Sequence, residues 1–188
     1  MDDSDRLEQE NQQLRAELAA VKQFLANQEE RWNLVLQGTN EGIWDWNILT
    51  GDLFISPRWK NLLGYQDNEL PNRIETWEAL LHPEDKDIVS QTAEAYLSQN
   101  RPNYAVEFRL RCKDGSYRWV FSRGQVLRDK NGTPIRMAGS NTDITQSKAT
   151  EAALNYEQQV LQSLIESIPD LIFFKDKEGI YRLCNEAY

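Results

Sequence analysis

The chain has 188 residues, which is enough for one well-packed domain with extensions. Its 30 acidic residues outnumber 21 basic ones, and the net charge of -9 argues against nucleic acid and anionic membranes as partners, because both attract lysine and arginine. No apolar run reaches the roughly 20 residues of a membrane helix, and the first residues lack a signal-peptide pattern. We therefore expect a cytoplasmic protein.

The first segment, residues 5–36, contains no glycine or proline and predicts one long helix. Its apolar positions advance by alternating steps of four and three, the heptad spacing of a two-stranded coiled coil. Asn11 falls on the core seam, where a single polar residue fixes register and dimeric state. A helix folded back along its own domain and a solvated charged helix remain alternatives. The heptads predict a parallel homodimer through Leu7, Asn11, Leu14, Leu18, Val21, Leu25 and Trp32.

A globular domain begins near residue 37, where glycine, proline and aromatic residues become frequent. Residues 43–47 and 53–55 predict a β-hairpin, and Ser56-Pro57 predicts the start of a short helix that Gly64 ends. A longer helix is expected from Pro83 to about Ser98.

Three longer strands are predicted to close this domain: residues 104–112, a strand that begins near Tyr117, and residues 135–144. In the second of these, Tyr117, Trp119 and Phe121 share one face. The order of elements predicts an α+β domain: a five-stranded antiparallel sheet with short helices on one face, flanked by long coiled-coil-like helices.

A second long helix is predicted up to about Ser167, and the sequence after it repeats the first hairpin. Residues 42–47 align with residues 171–176, Gly51 with Gly179, and residues 53–56 with residues 181–184. Because a lone hairpin is marginally stable in water, we expect its residues to fray or to borrow another surface, and the chain to be a piece of a longer protein.

Six short motifs occur in a characteristic order along the chain. They are Gly42-Ile-Trp-Asp-Trp46, Ser56-Pro57 with Leu63-Gly64-Tyr65, His82-Pro-Glu-Asp85, Phe108-Arg-Leu110, Asp114-Gly-Ser-Tyr-Arg-Trp119 and Asp143-Ile-Thr145. With this order and spacing the sequence resembles the PAS sensor family with a C-terminal PAC motif, of the type found upstream of bacterial histidine kinases and diguanylate cyclases.

The resemblance implies four segments. Residues 1–31 are then an N-terminal coiled-coil helix, 32–145 a PAS/PAC sensor domain, 146–168 a connecting signalling helix, and 169–188 the beginning of a second PAS domain.

The resemblance also implies a sensing and relay module of a larger protein, with a sensor histidine kinase of a two-component phosphorelay favoured over a diguanylate cyclase. A change in the sheet or pocket is passed to the C-terminal helix through Asp143, Ile144 and Thr145, with Trp119 as a further signalling residue. A downstream output domain is the implied partner. No catalytic residue is predicted, because phosphate loops, kinase motifs and nucleophile constellations are missing from the sequence.

The cofactor remains unknown from the sequence. His82, the single histidine, is interpreted as a helix-start residue and not as a haem ligand or phosphoacceptor. Cys112 lacks the helical signature of a flavin-adduct cysteine. Because Cys112 and Cys184 have no CxxC spacing, we interpret them as free buried thiols and predict no metal site.

The aromatic residues predict either a filled core or a pocket for a small molecule. The candidate pocket residues are Trp59, Leu63, Trp77, Tyr96, Phe108, Leu110, Phe121 and Met137. A ligand-free dimerisation and interaction scaffold is the alternative function.

Overall fold

The computed structural model describes residues 3–39, 41–98 and 102–185, and the chain divides into two compact units, Met1–Thr142 and Asp143–Tyr188. The first unit opens with helix α1, Asp3–Thr39, which continues three residues past the predicted end at residue 36. The side chains of Leu7 and Trp32, two of the predicted dimerisation residues, lie outside the described part of the chain.

The rest of the first unit has two strands, then short helices, then three strands, in the order that the sequence predicts. Its elements are β1 (Gly42–Asn47), β2 (Leu53–Ile55), α2 (Pro57–Leu62), α3 (Ile74–Leu80), α4 (Lys86–Leu97), β3 (Tyr104–Arg111), β4 (Tyr117–Arg128) and β5 (Pro134–Asp143), with 3-10 turns at Asp67–Glu69 and Pro83–Asp85.

The five strands form one sheet in the order β2-β1-β5-β4-β3, which confirms the predicted α+β class. Strand β1 therefore lies between its hairpin partner β2 and the last strand β5. The β1–β5 pairing is antiparallel and places Gly42 opposite Asn141, Trp44 opposite Gly139 and Trp46 opposite Met137. Because side chains alternate between faces along a strand, these six residues share one face.

The start of α2 follows the predicted capping chemistry. The Ser56 hydroxyl accepts the amide of Trp59 at 3.2 Å, Pro57 occupies the first turn, and Gly64 adopts a φ of 83° after the helix. The helix predicted from Pro83 to Ser98 is divided: Pro83–Asp85 forms a 3-10 turn and α4 begins at Lys86.

The core lies between the sheet and helices α2 to α4. Phe108 and Leu110 of β3 pack there with Trp59 of α2, Leu63 directly after α2 and Val89 of α4, and each of these side chains is 1–2% exposed. Cys112 is buried in the same core, as predicted.

The second unit consists of helix α5 (Thr145–Ser167) and the hairpin of β6 (Phe173–Lys175) and β7 (Tyr181–Cys184). Ile172 and Asn185 exchange two hydrogen bonds, of the Ile172 amide with Asn185 Oδ1 and of the Asn185 amide with the Ile172 carbonyl. Ile43 and Ser56 make the same exchange in the first unit.

The repeat is therefore confirmed at the level of the hairpin, but its predicted alignment is wrong by one residue in the second strand. Ser56 corresponds to Asn185 and not to Cys184, and Cys184 is exposed, not buried as predicted. The second turn is one residue shorter than the first, and the register shifts between Phe174 and Lys175 to compensate.

None of the helices in the described residues is both long enough and apolar enough to cross a membrane.

Candidate functional site

A cavity of about 220 Å³ lies inside the first unit, between the inner face of the sheet and helices α3 and α4. Its wall is mainly aromatic and aliphatic. The lining residues are Trp44, Trp46, Leu53, Ile55, Trp59, Ile74, Trp77, Glu78, Val89, Ser90, Ala93, Tyr104, Phe108, Ser122, Met137 and Asn141. Such apolar concavities with a few polar groups are typical ligand sites.

Two polar pairs line this cavity, and they differ in hydrogen bonding. The Ser122 side chain hydrogen-bonds Tyr104, whose pKa burial raises to about 12, so the phenol is neutral at physiological pH. In contrast, Trp44 Nε1 and Asn141 Oδ1 are buried and have no hydrogen-bond partner among the described residues. Asn141 is 1% exposed. Buried polar groups without partners are costly, so these two atoms are unsatisfied hydrogen-bonding positions in the cavity wall.

Two glycines hold the Trp44 ring in place along the inner face of the sheet. A Cβ on Gly139 would lie 2.5 Å from Trp44 Cζ2 and 2.1 Å from the backbone oxygen of Arg123. A Cβ on Gly124 would lie 2.7 Å from Trp44 Cη2. Glycine is required at both positions because the indole and the neighbouring backbone occupy the space of a side chain.

The structure brings together only part of the predicted pocket. Trp59, Trp77, Phe108 and Met137 line the cavity. Leu63, Tyr96 and Leu110 are buried in the surrounding core, but none of them lines the cavity.

The pocket prediction is wrong for Phe121. Val120 and Ser122 point into the core, 1% and 2% exposed, so the intervening Phe121 lies on the outer face of the sheet. There it lines an open groove together with Val35 of α1, Ile43 and Ala138. Trp44 and Trp46 of the first motif also line the cavity, as does Asn141, which the sequence did not single out although it is a polar residue on the inner face of β5 beside Met137 and Gly139.

The predicted helix-start residue His82 lies in a network that ties the turn before α4 to strand β3. His82 Nδ1 accepts the Glu84 amide at 3.2 Å, and the imidazole packs edge-on against Tyr117. Asp85, 7% exposed, accepts hydrogen bonds from the Arg109 amide at 2.7 Å and from the Arg109 guanidinium at 2.6 and 3.0 Å. These hydrogen bonds hold the pKa of Asp85 below its ordinary value.

The predicted signalling residues occupy the end of β5 and the start of α5. Asp143 is the last residue of the strand, Thr145 is the first residue of the helix, and only Ile144 separates them. Asp143 Oδ1 accepts the Thr145 amide at 2.9 Å.

Trp119, the remaining predicted signalling residue, is half-buried on β4. It faces Arg109 across the β3–β4 pairing, and the Arg109 guanidinium lies 5.2 Å from the centre of its ring. Trp119 thus contacts the Asp85 network and does not line the cavity.

The sequence and the fold are both similar to those of known proteins. The sequence profile of the family described as PAS fold matches residues 52–141. The crystal structure of a sensory box histidine kinase/response regulator from Burkholderia thailandensis is 38% identical, with a TM-score of 0.62; the match covers 98% of that chain and 71% of this one. The chain belongs to the PAS family.

PAS domains are the sensor domains of signal-transduction proteins and are not themselves catalytic. Sensor protein FixL of Bradyrhizobium diazoefficiens is 28% identical over 84% of this chain, which spans 31% of FixL. The probable diguanylate cyclase DgcE of Escherichia coli is 27% identical over 83% of this chain, which spans 14% of DgcE. The chain is thus similar to a part of a sensor protein and to a part of a probable diguanylate cyclase, and it spans less than a third of either.

Proposed function

We propose that the first unit senses a small molecule in its cavity and passes the change through β5 to helix α5. One observation carries this proposal: β5 contributes Met137 and Asn141 to the cavity wall and ends at Asp143, two residues before the helix begins. A ligand that alters the position of this strand acts directly on the start of α5. A relay of this kind needs a ligand that binds one state of the strand more tightly than the other.

The proposed segments correspond to these two roles, sensing and relay. Residues 32–145 form the PAS/PAC sensor, residues 146–168 the signalling helix, and residues 169–188 the start of a second PAS repeat. The Ile172–Asn185 exchange, which repeats the Ile43–Ser56 exchange, supports the last of these. The parent protein is proposed to be a sensor histidine kinase, with a diguanylate cyclase as the alternative output.

A ligand-free dimerisation scaffold is the second candidate function, and helix α1 favours it. Leu14, Leu18, Val21 and Leu25 follow the heptad spacing and are each more than half exposed. A second copy of α1 would cover this stripe, and we propose that the dimer is parallel. A sensor can also be a dimer, so the oligomeric state does not distinguish the two candidates. A kinase output that changes when a small molecule binds would favour the sensor.

The relay is tested by the variant Asp143→Ala in a fusion that joins α5, in continuous helical register, to a histidine kinase core. Removal of the Asp143 carboxylate deletes the hydrogen bond to Thr145 at the first residue of the helix. We expect autophosphorylation to change several-fold while the thermal unfolding temperature of the sensor stays nearly constant, because the deleted bond lies between partly exposed groups.

Asp114→Ala is the matched control, because Asp114 Oδ1 accepts the Ser116 amide at 2.9 Å in the same two-residue geometry but in the β3–β4 turn. It should leave autophosphorylation unchanged. Equal effects of the two variants on kinase output, or parallel losses of folded protein and output in Asp143→Ala, would contradict the relay.

A further inference from the structure

We propose that the cavity takes a neutral single-ring molecule that carries a hydroxyl group, with the hydroxyl bound between Asn141 Oδ1 and Trp44 Nε1. This inference rests on the proposed sensing function and names the chemical class of its ligand. Its three parts, size, charge and polar anchor, each follow from a different feature of the cavity.

The volume of the cavity sets the size of the ligand. An apolar cavity of about 150 Å³ accommodates benzene, whereas pockets for drug-sized ligands measure about 300–1,000 Å³. At about 220 Å³ this cavity holds one ring with a short substituent. Haem and flavin exceed that space.

The lining residues set the charge of the ligand. The described residues of the wall include no lysine, arginine or histidine, and the one acidic residue, Glu78, is solvent-exposed. An anionic ligand would lose its hydration without gaining a positive partner, which is strongly unfavourable. The indole and phenyl groups of Trp44, Trp59, Trp77 and Phe108 suit a neutral aromatic ring.

The two buried polar atoms without partners specify the polar group of the ligand. Trp44 stands opposite Gly139, two residues along β5 from Asn141 and on the same face, so Asn141 is a diagonal neighbour within reach of the large indole side chain of Trp44. The indole can only donate and Asn141 Oδ1 can only accept a hydrogen bond. A hydroxyl does both at once, because it has one hydrogen and two lone pairs.

The test compares two probes that differ only in the hydroxyl, 4-ethylphenol and ethylbenzene, by calorimetric titration of the full chain at pH 7. A phenol is neutral at this pH. We expect 4-ethylphenol to bind about ten- to a hundredfold more tightly, because ethylbenzene leaves the two polar atoms without partners. Equal binding of the two probes, or binding of neither, would overturn the proposal.

Asn141→Leu keeps the approximate volume and removes the acceptor, so it should bring the affinities for the two probes to within about threefold while ethylbenzene still binds. Trp44→Phe removes the donor together with part of the ring, which affects both probes alike, and should reduce the preference by about tenfold; it tests the same geometry should Asn141→Leu fail to fold. Ser140→Ala is the matched control: Ser140 precedes Asn141 on β5 but does not line the cavity, so the preference should stay unchanged. A preference that survives in both of the first two variants would show that the hydroxyl binds elsewhere.

Choline is the third probe in the same titration, because it combines a hydroxyl with a cation that aromatic rings attract. Tighter binding of choline than of 4-ethylphenol would replace the neutral class by a cationic one. Failure of these probes is distinguishable from failure of the sensing function: the effect of Asp143→Ala on kinase output does not depend on the identity of the ligand.

Discussion

At the scale of single residues, one buried carboxylate connects the turn before α4 to the sheet. Asp85 accepts three hydrogen bonds from Arg109, one from its amide and two from its guanidinium. The guanidinium also binds Glu84 at 2.9 Å and lies over the Trp119 ring. The Asp85 carboxylate thus accepts hydrogen bonds from the β3 backbone and from the Arg109 side chain. Because a protonated carboxyl would pair less well with the guanidinium, the fold depends on the negative charge of Asp85.

The charge of Asp85 makes the stability of the domain depend on pH. Arg109 lowers the folded-state pKa of Asp85 below the unfolded value near 3.8, so this contribution to stability is present above about pH 4 and is lost as pH falls through the folded-state pKa. We expect Asp85→Asn to lower the free energy of unfolding by about 1.5–3 kcal/mol at pH 7 and to flatten its decrease below pH 4, measured by urea titration. Asp87→Asn, an exposed neighbour, should cost less than about 1 kcal/mol. Equal pH profiles for wild type and Asp85→Asn would contradict this role.

Individual residues of β3 and β4 show which parts of the site the sequence could predict. Phe108 and Leu110 alternate with charged residues along β3, so the pattern alone places them on one face, and in the structure that face is the buried one. On β4 both faces carry large side chains, so alternation identified two faces without distinguishing inside from outside. Trp119 lies outside because Arg109 covers its ring, a contact between distant residues that the pattern of one strand does not contain.

At the scale of elements, α1 carries the feature that most needs a partner. Its heptad positions Leu14, Leu18, Val21 and Leu25 are 54–56% exposed, in a helix whose other described residues are largely polar. A sequence can predict such a seam from spacing alone, because the 3.5-residue repeat is local. It cannot show which surface covers the seam, since that contact is made with another part of the assembly.

We expect the chain to be a dimer in solution and Leu18→Glu to convert it into a monomer, because two glutamates would face each other at a core position of the coiled coil. Multi-angle light scattering measures the mass directly. Gln12→Glu introduces the same charge at an outward position of the same helix and should leave the dimer intact. A wild-type monomer, or a dimer that survives in Leu18→Glu, would contradict the coiled coil.

In the hairpin repeat, the sequence correctly predicted the repeat but aligned its second strand one residue out of register. Gly51 and Gly179 both adopt a φ near 80° in their turns, and aligning them shifted the second strand by one residue. The second turn is shorter, and an extra residue in β7, Arg182 between the paired residues Tyr181 and Leu183, restores the pairing so that Asn185 meets Ile172. The Asn185 side chain also donates to the carbonyls of Ile165 and Ile168 at the end of α5. Turn length depends on the bulge, which the glycine positions alone do not reveal.

At the scale of the whole molecule, the two units differ in how much apolar surface they bury. Strand β3 alternates buried and outward residues along its whole pairing with β4. Every residue of β6 is exposed, and β7 has only Leu183 half-buried. Because burial of apolar surface is the main source of folding free energy, the stability of the chain resides in the first unit.

This difference predicts two levels of amide hydrogen exchange in one molecule. Opening of β3 exposes the core of the first unit to water, whereas a two-stranded hairpin with exposed side chains opens locally at little cost. We expect β6 and β7 amides to exchange at least about a hundredfold faster than β3 and β4 amides, measured by mass spectrometry after pulse labelling. The short strand β2 is the internal control: it has three residues like β6, but Leu53 and Ile55 are buried, so it should exchange slowly with the sheet. Equal protection of β2 and β6 would mean that strand burial does not set local stability here, and that the second hairpin is held by contacts outside its own two strands.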